Sequence, residues 1–332
     1  MTTPMLDPIQ AAWHVVARAA DVTDAPLGLT LLGRRLVVFR AARGVAALPA
    51  ACPHRSTDLA LGRVVDGEIV CPYHGWSFDG TGRCTRIPSG SAIPPGAHSL
   101  AHRICERDGL VWVSLDPAAD EAAIPSFPTA TSHPGLRLVT GEPLVWRATP
   151  GRHVENILDL AHFPFIHPAS FGCEEAEVVE DHEVTMEPGA IDCHVGVLTR
   201  NPDTPAGPLY PELGPTIRLG YHYRVELPYR TTLEFAFPDG MRRALHEVAT
   251  PTAPGECTVF WALLVDERLN SPDEEELAFA RAVFAEDQPV IESQVGGVPI
   301  ARQAEVHVAA DRLAVAYRRA LREWGVPEEV LV

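Results

Sequence analysis

No run of this chain approaches the ~18 consecutive apolar residues of a membrane-spanning helix, so none is expected. The start, Met1 to Gln10, has no basic n-region and no apolar h-region, which predicts no signal peptide and a cytoplasmic location. Basic residues are few. Against 44 Asp plus Glu there are 27 Lys plus Arg, a formal net charge of −17. Such an acidic surface repels a phosphate backbone and disfavours an anionic membrane, so neither nucleic acid nor membrane is an expected partner. It leaves room for an acidic substrate held by a few local Arg residues. Cysteine is sparse and odd in number, at seven. Cys84, Cys105, Cys173, Cys193 and Cys257 are scattered without paired spacing, which predicts free thiols in a reducing compartment rather than a disulfide framework. There is no internal repeat and no low-complexity segment. What remains is an ordinary globular composition, 46% hydrophobic over 332 residues, enough for two domains with real cores.

Two short motifs stand out. Cys52-Pro-His54 and Cys71-Pro-Tyr-His74 each offer one soft thiolate and one imidazole, separated by sixteen residues. Two cysteines on one iron and two histidines on the other is the ligand division of a Rieske [2Fe-2S] cluster, a one-electron relay. Zinc also accepts two Cys and two His, but usually with like ligands grouped, whereas here they alternate. Tyr73 and Trp76 are expected to pack around the cluster.

Around these motifs, residues 13–116 read as short strands and turns. Leu29–Leu32, Arg35–Arg40, Val45–Pro49, Glu68–Cys71, Gly75–Phe78 and Leu110–Leu115 are predicted strands, with Asp66-Gly67 and Asp79-Gly80 as hairpin signals. The Pro- and Ala-rich stretch from Asp116 to Gly135 marks a boundary, and we divide the chain into domains 1–122 and 123–332. Beyond it, Arg152–His162 has helical apolar spacing, and 178–266 is rich in strand formers. Ser271-Pro-Asp-Glu274 reads as a capping box opening a helix, and an amphipathic helix is predicted from about Asp311 to Gly325. The expected class is α+β.

The second chemical cluster is Glu155-Asn156-Ile-Leu-Asp159-Leu-Ala-His162-Phe-Pro164-Phe-Ile-His167. Asp159 and His162 at i, i+3 share a helix face. Pro164 should end or bend the helix at Phe163, letting His167 swing back beside His162. Two His plus one carboxylate suit ferrous iron in the facial triad of O2-activating enzymes, although zinc accepts the same ligands. The carboxylate candidate is Asp287, with Glu286 as a barely separable substitute. Pro289, soon after, should kink or end the helix that carries them. His14, His98, His102, His133, His182 and His307 lack ligand spacing. Arg218, Arg224 and Arg230 fall on predicted strands, as a solvated face or as a clamp for a substrate carboxylate.

In order along the chain, Cys52/His54/Cys71/His74, then Asp159/His162/His167, then Asp287 five residues before Glu292 resemble the large terminal oxygenase subunits of the Rieske non-heme iron oxygenases. Gly75-Trp76-Ser77-Phe78 and Gly109-Leu110-Val111-Trp112-Val113 are also similar to that family. The run Glu155 to Asp159 looks most like the vanillate O-demethylase and dicamba monooxygenase branch. The resemblance implies an antiparallel β Rieske domain beside a helix-grip (START-like) catalytic domain with an antiparallel sheet. It implies a [2Fe-2S] cluster, a mononuclear Fe(II), a homotrimer, and electrons from NAD(P)H through a separate reductase, sometimes with a ferredoxin. Asp159 would bridge His74 of one chain to His162 of the next, and Asn156 matches a position near the iron. The implied reaction is monooxygenation or O-demethylation of a small aromatic or related cyclic substrate. The alternatives are a ring-dihydroxylating dioxygenase component and a Rieske electron carrier without oxygenase chemistry. Where small aromatic-acid members carry T-H-Y-F-W, this chain has Glu256-Cys257-Thr258-Val259-Phe260-Trp261, so Thr258 would leave the pocket without that His anchor.

Overall fold

The computed structural model describes residues 7–90, 92–204, 207–300 and 305–326. The described residues fall into two compact units, the first running to Ser126 with 250–254 added and the second made of the rest.

The first unit is built from short antiparallel strands. After α1 (Pro8–Ala11) come β1 (His14–Arg18), β2 (Leu27–Leu31), β3 (Arg34–Arg40), β4 (Val45–Pro49), β5 (Arg63–Val65), β6 (Glu68–Val70), β7 (Ser77–Phe78), β8 (Cys84–Arg86), β9 (Arg103–Arg107) and β10 (Leu110–Ser114). They pair as three sheets, β1-β10-β9, β2-β3-β4 and β5-β6-β7-β8. The turn between β5 and β6 has Asp66 and Gly67 both at positive φ, 51° and 77°, as a two-residue hairpin of this hand requires. At the other predicted hairpin the positive φ falls on Gly82 instead of Gly80, because Asp79 accepts from Thr81 N and Arg83 N and stretches the turn. Val37, Phe39, Leu48, Leu59, Ile69 and Phe78 form a core that continues up to Cys52 and Cys71.

The second unit is an eight-stranded antiparallel sheet gripped by helices. Its elements are β11 (Leu136–Thr140), β12 (Leu144–Trp146), α2 (Pro150–Leu158), α3 (Phe163–Ile166), β13 (Glu183–Glu187), β14 (Ala190–Arg200), a small ribbon of β15 (Asp203–Thr204) and β16 (Gly207–Pro208), β17 (Thr216–Glu226), β18 (Arg230–Ala236), β19 (Arg242–Pro251), β20 (Cys257–Asp266), α4 (Asp273–Ile291) and α5 (Arg312–Glu323). The order is β11-β20-β19-β18-β17-β14-β13, with β12 also on β20. Strand β17 shows the period of two plainly. Ile217, Leu219, Tyr221, Tyr223 and Val225 are buried, while Arg218 and Arg224 point the other way and pair with Glu180 and Asp192. Helix α5 packs on β13 and β14, α4 on β11, and α2 touches both helices and β18. Among the described residues no helix is long and apolar enough to cross a membrane.

Three local expectations are corrected. Helix α2 ends at Leu158 rather than His162, because the Asp159 carboxylate captures the Ala161 N–H (2.7 Å) in a local turn that competes with the helical bond. The Ser271 capping box does not form. Pro272 is the N-cap, and Ser271 Oγ bonds the side chain of Glu276. Pro289 does not end α4, which continues to Ile291. The predicted C-terminal helix is present, with Leu313, Tyr317 and Leu321 buried and Trp324 at its cap.

Candidate metal centres

Cys52 and Cys71 sit at the start of the same turn, made twice. Cys52 N donates to Thr57 O (2.9 Å) and its carbonyl accepts from Ser56 N (2.8 Å). Cys71 N donates to Trp76 O (2.8 Å) and its carbonyl accepts from Gly75 N (3.0 Å). The fifth position of each turn has positive φ, 55° at Ser56 and 70° at Gly75. Both thiols are buried, whereas His54 is half-buried and His74 exposed, so sulfur lies inward and imidazole outward. The two imidazole rings are 4.5 Å apart. Trp76 stacks on His54 at 4.4 Å, and Tyr73 lies 3.8 Å from His74. Burial pushes the Cys52 thiol up to about 11, with the neighbouring Cys71 adding to the shift. Two adjacent buried thiols are a poor place for bare negative charge. Bound iron would supply the compensating charge, and the donor set fits a two-Cys, two-His cluster.

The second centre begins where α2 stops. The turn at Asp159 delivers His162 as the N-cap of α3, and Pro164 occupies that helix's first turn, where a missing N–H costs nothing. The break therefore lies before His162 and not at Phe163, so Asp159 and His162 do not share a helix. His167 follows as the C-cap, and its carbonyl accepts from Gly172 N (2.8 Å). A Cβ on Gly172 would lie 2.2 Å from the Phe163 carbonyl, so only glycine closes this turn without a shift. Phe171 stacks on the His167 ring at 4.6 Å.

Helix α4 brings Asp287 to the pair. His162 Nε2 and His167 Nε2 are 3.1 Å apart, and Asp287 Oδ1 lies 3.5 Å from the first and 3.2 Å from the second. Ligands about 2.1 Å from one ion at angles of about 90–110° lie about 3.0–3.4 Å apart, and all three separations are within about 0.1 Å of that range, so the three atoms can bind one ion. Asp287 is 4% exposed, and its Oδ1 has no hydrogen bond. Glu286 faces elsewhere. It accepts from His167 Nδ1 and from Ser170 Oγ, both at 2.7 Å. Burial holds the His162 imidazole below its ordinary value. At His167 burial is outweighed by Asp287 and then Glu286, which raise it. Two carboxylates around one imidazole are a surplus of negative charge that a cation relieves.

Asp159 is half open to solvent, its Oδ2 3.9 Å from His162 Nδ1, and Asn156 is buried one turn earlier on α2. Thr258 pairs with Val145, which is 58% exposed, and the two share a face. That face is opposite to buried Cys257 and Val259, so the residue at this position reports nothing about a lost interior anchor.

The sequence reading missed several supports. Glu292 accepts from Arg147 N (3.0 Å), Arg147 Nη2 (2.9 Å) and Gln288 Nε2 (2.6 Å), tying the end of α4 to the exit of β12. Behind α2, Glu155 is buried with Arg152 and Arg318, and both arginines reach Glu305 at 2.7 Å. His153 and Glu247, each 1% exposed, pair at 3.2 Å. Arg318 beside Tyr317 on the apolar face of a helix was the available signal.

Residues 12–97 match the family described as Rieske [2Fe-2S] domain, and residues 146–326 match the vanillate O-demethylase oxygenase C-terminal domain. The chain belongs to the Rieske non-heme iron oxygenases. Methylxanthine N1-demethylase NdmA of Pseudomonas putida is 34% identical, over 94% of this oxygenase and 88% of the relative. The structure of that demethylase with caffeine superposes with a TM-score of 0.82 at 30% identity, covering 98% of this chain and 96% of the other. Dicamba monooxygenase bound to dicamba gives 0.80 at 26%, covering 96% and 98%. The oxygenase therefore carries a Rieske cluster and a mononuclear iron. As one component of a multicomponent system it takes electrons from a reductase or ferredoxin and acts on a small organic substrate.

Proposed function

We propose that this oxygenase removes a methyl group from nitrogen or oxygen of a small aromatic or heterocyclic substrate. The observation that carries the chemistry is the convergence of His162, His167 and Asp287. The methyl-on-heteroatom substrate is supported by the methylxanthine and dicamba demethylases among the relatives. Cys52, His54, Cys71 and His74 hold the cluster, and His162, His167 and Asp287 hold the ferrous ion. When bound, the cluster relays single electrons and the ion activates O2. The balance is substrate methyl plus O2, two electrons and two protons, giving a hydroxymethyl group and water. The hydroxymethyl group then leaves as formaldehyde, returning the proton to the heteroatom.

The protein's part is orientation and insulation. Desolvation lowers the affinity of the His162 imidazole for a proton and so favours the neutral form a ligand needs. Asp159 accepts from Ala161 N through one oxygen and keeps the other toward His162 Nδ1. Its half-open position suits a second contact, and we assign that to His74 of a neighbouring copy in a homotrimer. The five cysteines outside the cluster form no disulfide, which fits a cytoplasmic setting. The first unit, residues to 126 with 250–254, serves electron entry, and the second serves catalysis.

The test is single turnover of the reduced, iron-loaded protein with caffeine, theobromine, vanillate and dicamba, scoring formaldehyde against O2 consumed. Matching yields with at least one methylated substrate are expected. O2 uptake giving vicinal diols without formaldehyde would replace demethylation by ring dihydroxylation.

A further inference from the structure

We infer that Glu286, braced by Ser170, is the positioning carboxylate of the mononuclear metal site and not one of its ligands. This rests on the reading of His162, His167 and Asp287 as the metal-binding set. A neutral imidazole carries one N–H. The His167 Nδ1 lies 2.7 Å from Glu286 Oε2, and a carboxylate can only accept, so Nδ1 keeps its proton while the Nε2 beside Asp287 gives up its own when a metal binds there. That leaves His167 Nε2 as a bare lone pair, on the side of the ring where His162 Nε2 and Asp287 Oδ1 lie at 3.1 and 3.2 Å. Ser170 Oγ donates to the same Glu286 oxygen at 2.7 Å, which holds the carboxylate in place. The negative charge of Glu286 also raises the electron-donating power of the ring through the shared proton.

Helix geometry explains why two adjacent acids take different jobs. Neighbouring residues on α4 point about 100° apart. Asp287, its side chain 5% exposed, faces the imidazole Nε2 atoms, whereas Glu286, 22% exposed, wraps to the Nδ1 edge of the same ring. The two histidines are therefore supported unequally. His167 is locked within its own unit, whereas His162 Nδ1 has no hydrogen bond and meets Asp159 only at 3.9 Å.

The experiment is a chelator competition for ferrous iron at the mononuclear site, run at one pH on wild type, Glu286→Gln, Glu286→Ala, Ser170→Ala and His162→Ala. Cluster absorbance and the thermal midpoint of the iron-free protein are recorded beside it. Glu286→Gln and Glu286→Ala are expected to weaken iron binding about 10–100-fold, and Ser170→Ala by a smaller factor, with the cluster unchanged. Glu286→Gln keeps the shape, so it remains informative where the Ala variant folds poorly. Wild-type iron affinity in both Glu286 variants, with iron lost from His162→Ala, overturns this inference and leaves the site standing. A lowered thermal midpoint without any change in iron affinity makes Glu286 merely structural and also overturns it. Iron retained normally by His162→Ala removes the site and the inference together.

Discussion

At Asp159 a single carboxylate does two things. One oxygen ends α2 by taking the Ala161 N–H, and the other faces His162 Nδ1. Asp159→Asn keeps the turn-forming oxygen but loses the charge. We expect this variant to retain cluster and iron while electron transfer between them slows at least tenfold, read by stopped-flow oxidation of the reduced cluster. A wild-type rate would remove Asp159 from the electron path. The candidate ligands were legible in the sequence because Cys52-x-His54, Cys71-x2-His74 and the His162/His167 pair each lie within one loop or turn. Asp287 and Glu286 could not be separated there. Which of two adjacent helical acids faces inward depends on the phase of α4 against the sheet, which only tertiary packing sets.

At the scale of elements, α4 carries Asp287 and α2 leads into the turn that delivers His162, and each contains an apparent fault. Pro289 lacks the N–H that would continue the ladder of α4, yet the helix runs on to Ile291. Glu292, held by Arg147 and Gln288, pins the turn beyond it. Pro289→Ala restores a donor at an exposed position and should stabilise the protein by about 1–3 kcal/mol, seen as a raised thermal midpoint. Helix α2 rests on buried charge. Arg318→Met would take from buried Glu155 and from Glu305 one of the two arginines each pairs with, and the expected loss is about 3–5 kcal/mol in denaturant unfolding. The six strands named in the first domain were read from the sequence within a residue or two, whereas β1, β5, β8 and β9 were not named. The end of α2 was not, because its apolar spacing continues to Ala161 while a side-chain-to-backbone bond decides the stop.

For the molecule as a whole, all 27 basic residues are arginine, which suits the buried forks around Glu155 and Glu305. Acid should weaken both units. Burial depresses His246 to about 3, with Arg230 adding to it, and depresses His14 to about 4. Both are neutral when folded, so the unfolded chain takes up their protons first. Stability is then full above the unfolded value near 6.5 and falls as pH drops toward 4, by about 1.4 kcal/mol per pH unit for each group. Urea midpoints measured from pH 7.5 to 4.5 should fall below pH 6.5. His246→Gln should flatten the curve, and a slope unchanged by that variant would assign the effect elsewhere.

The turn made twice around Cys52 and Cys71 is not symmetric in what it presents. An indole roofs one imidazole, and the other stands bare beside a phenol. Any body that collects charge from this tip must touch the bare side. Brief photo-oxidation followed by mass spectrometry should thus mark Tyr73 and His74 in the isolated chain, spare His54, and lose those marks when another protein docks there.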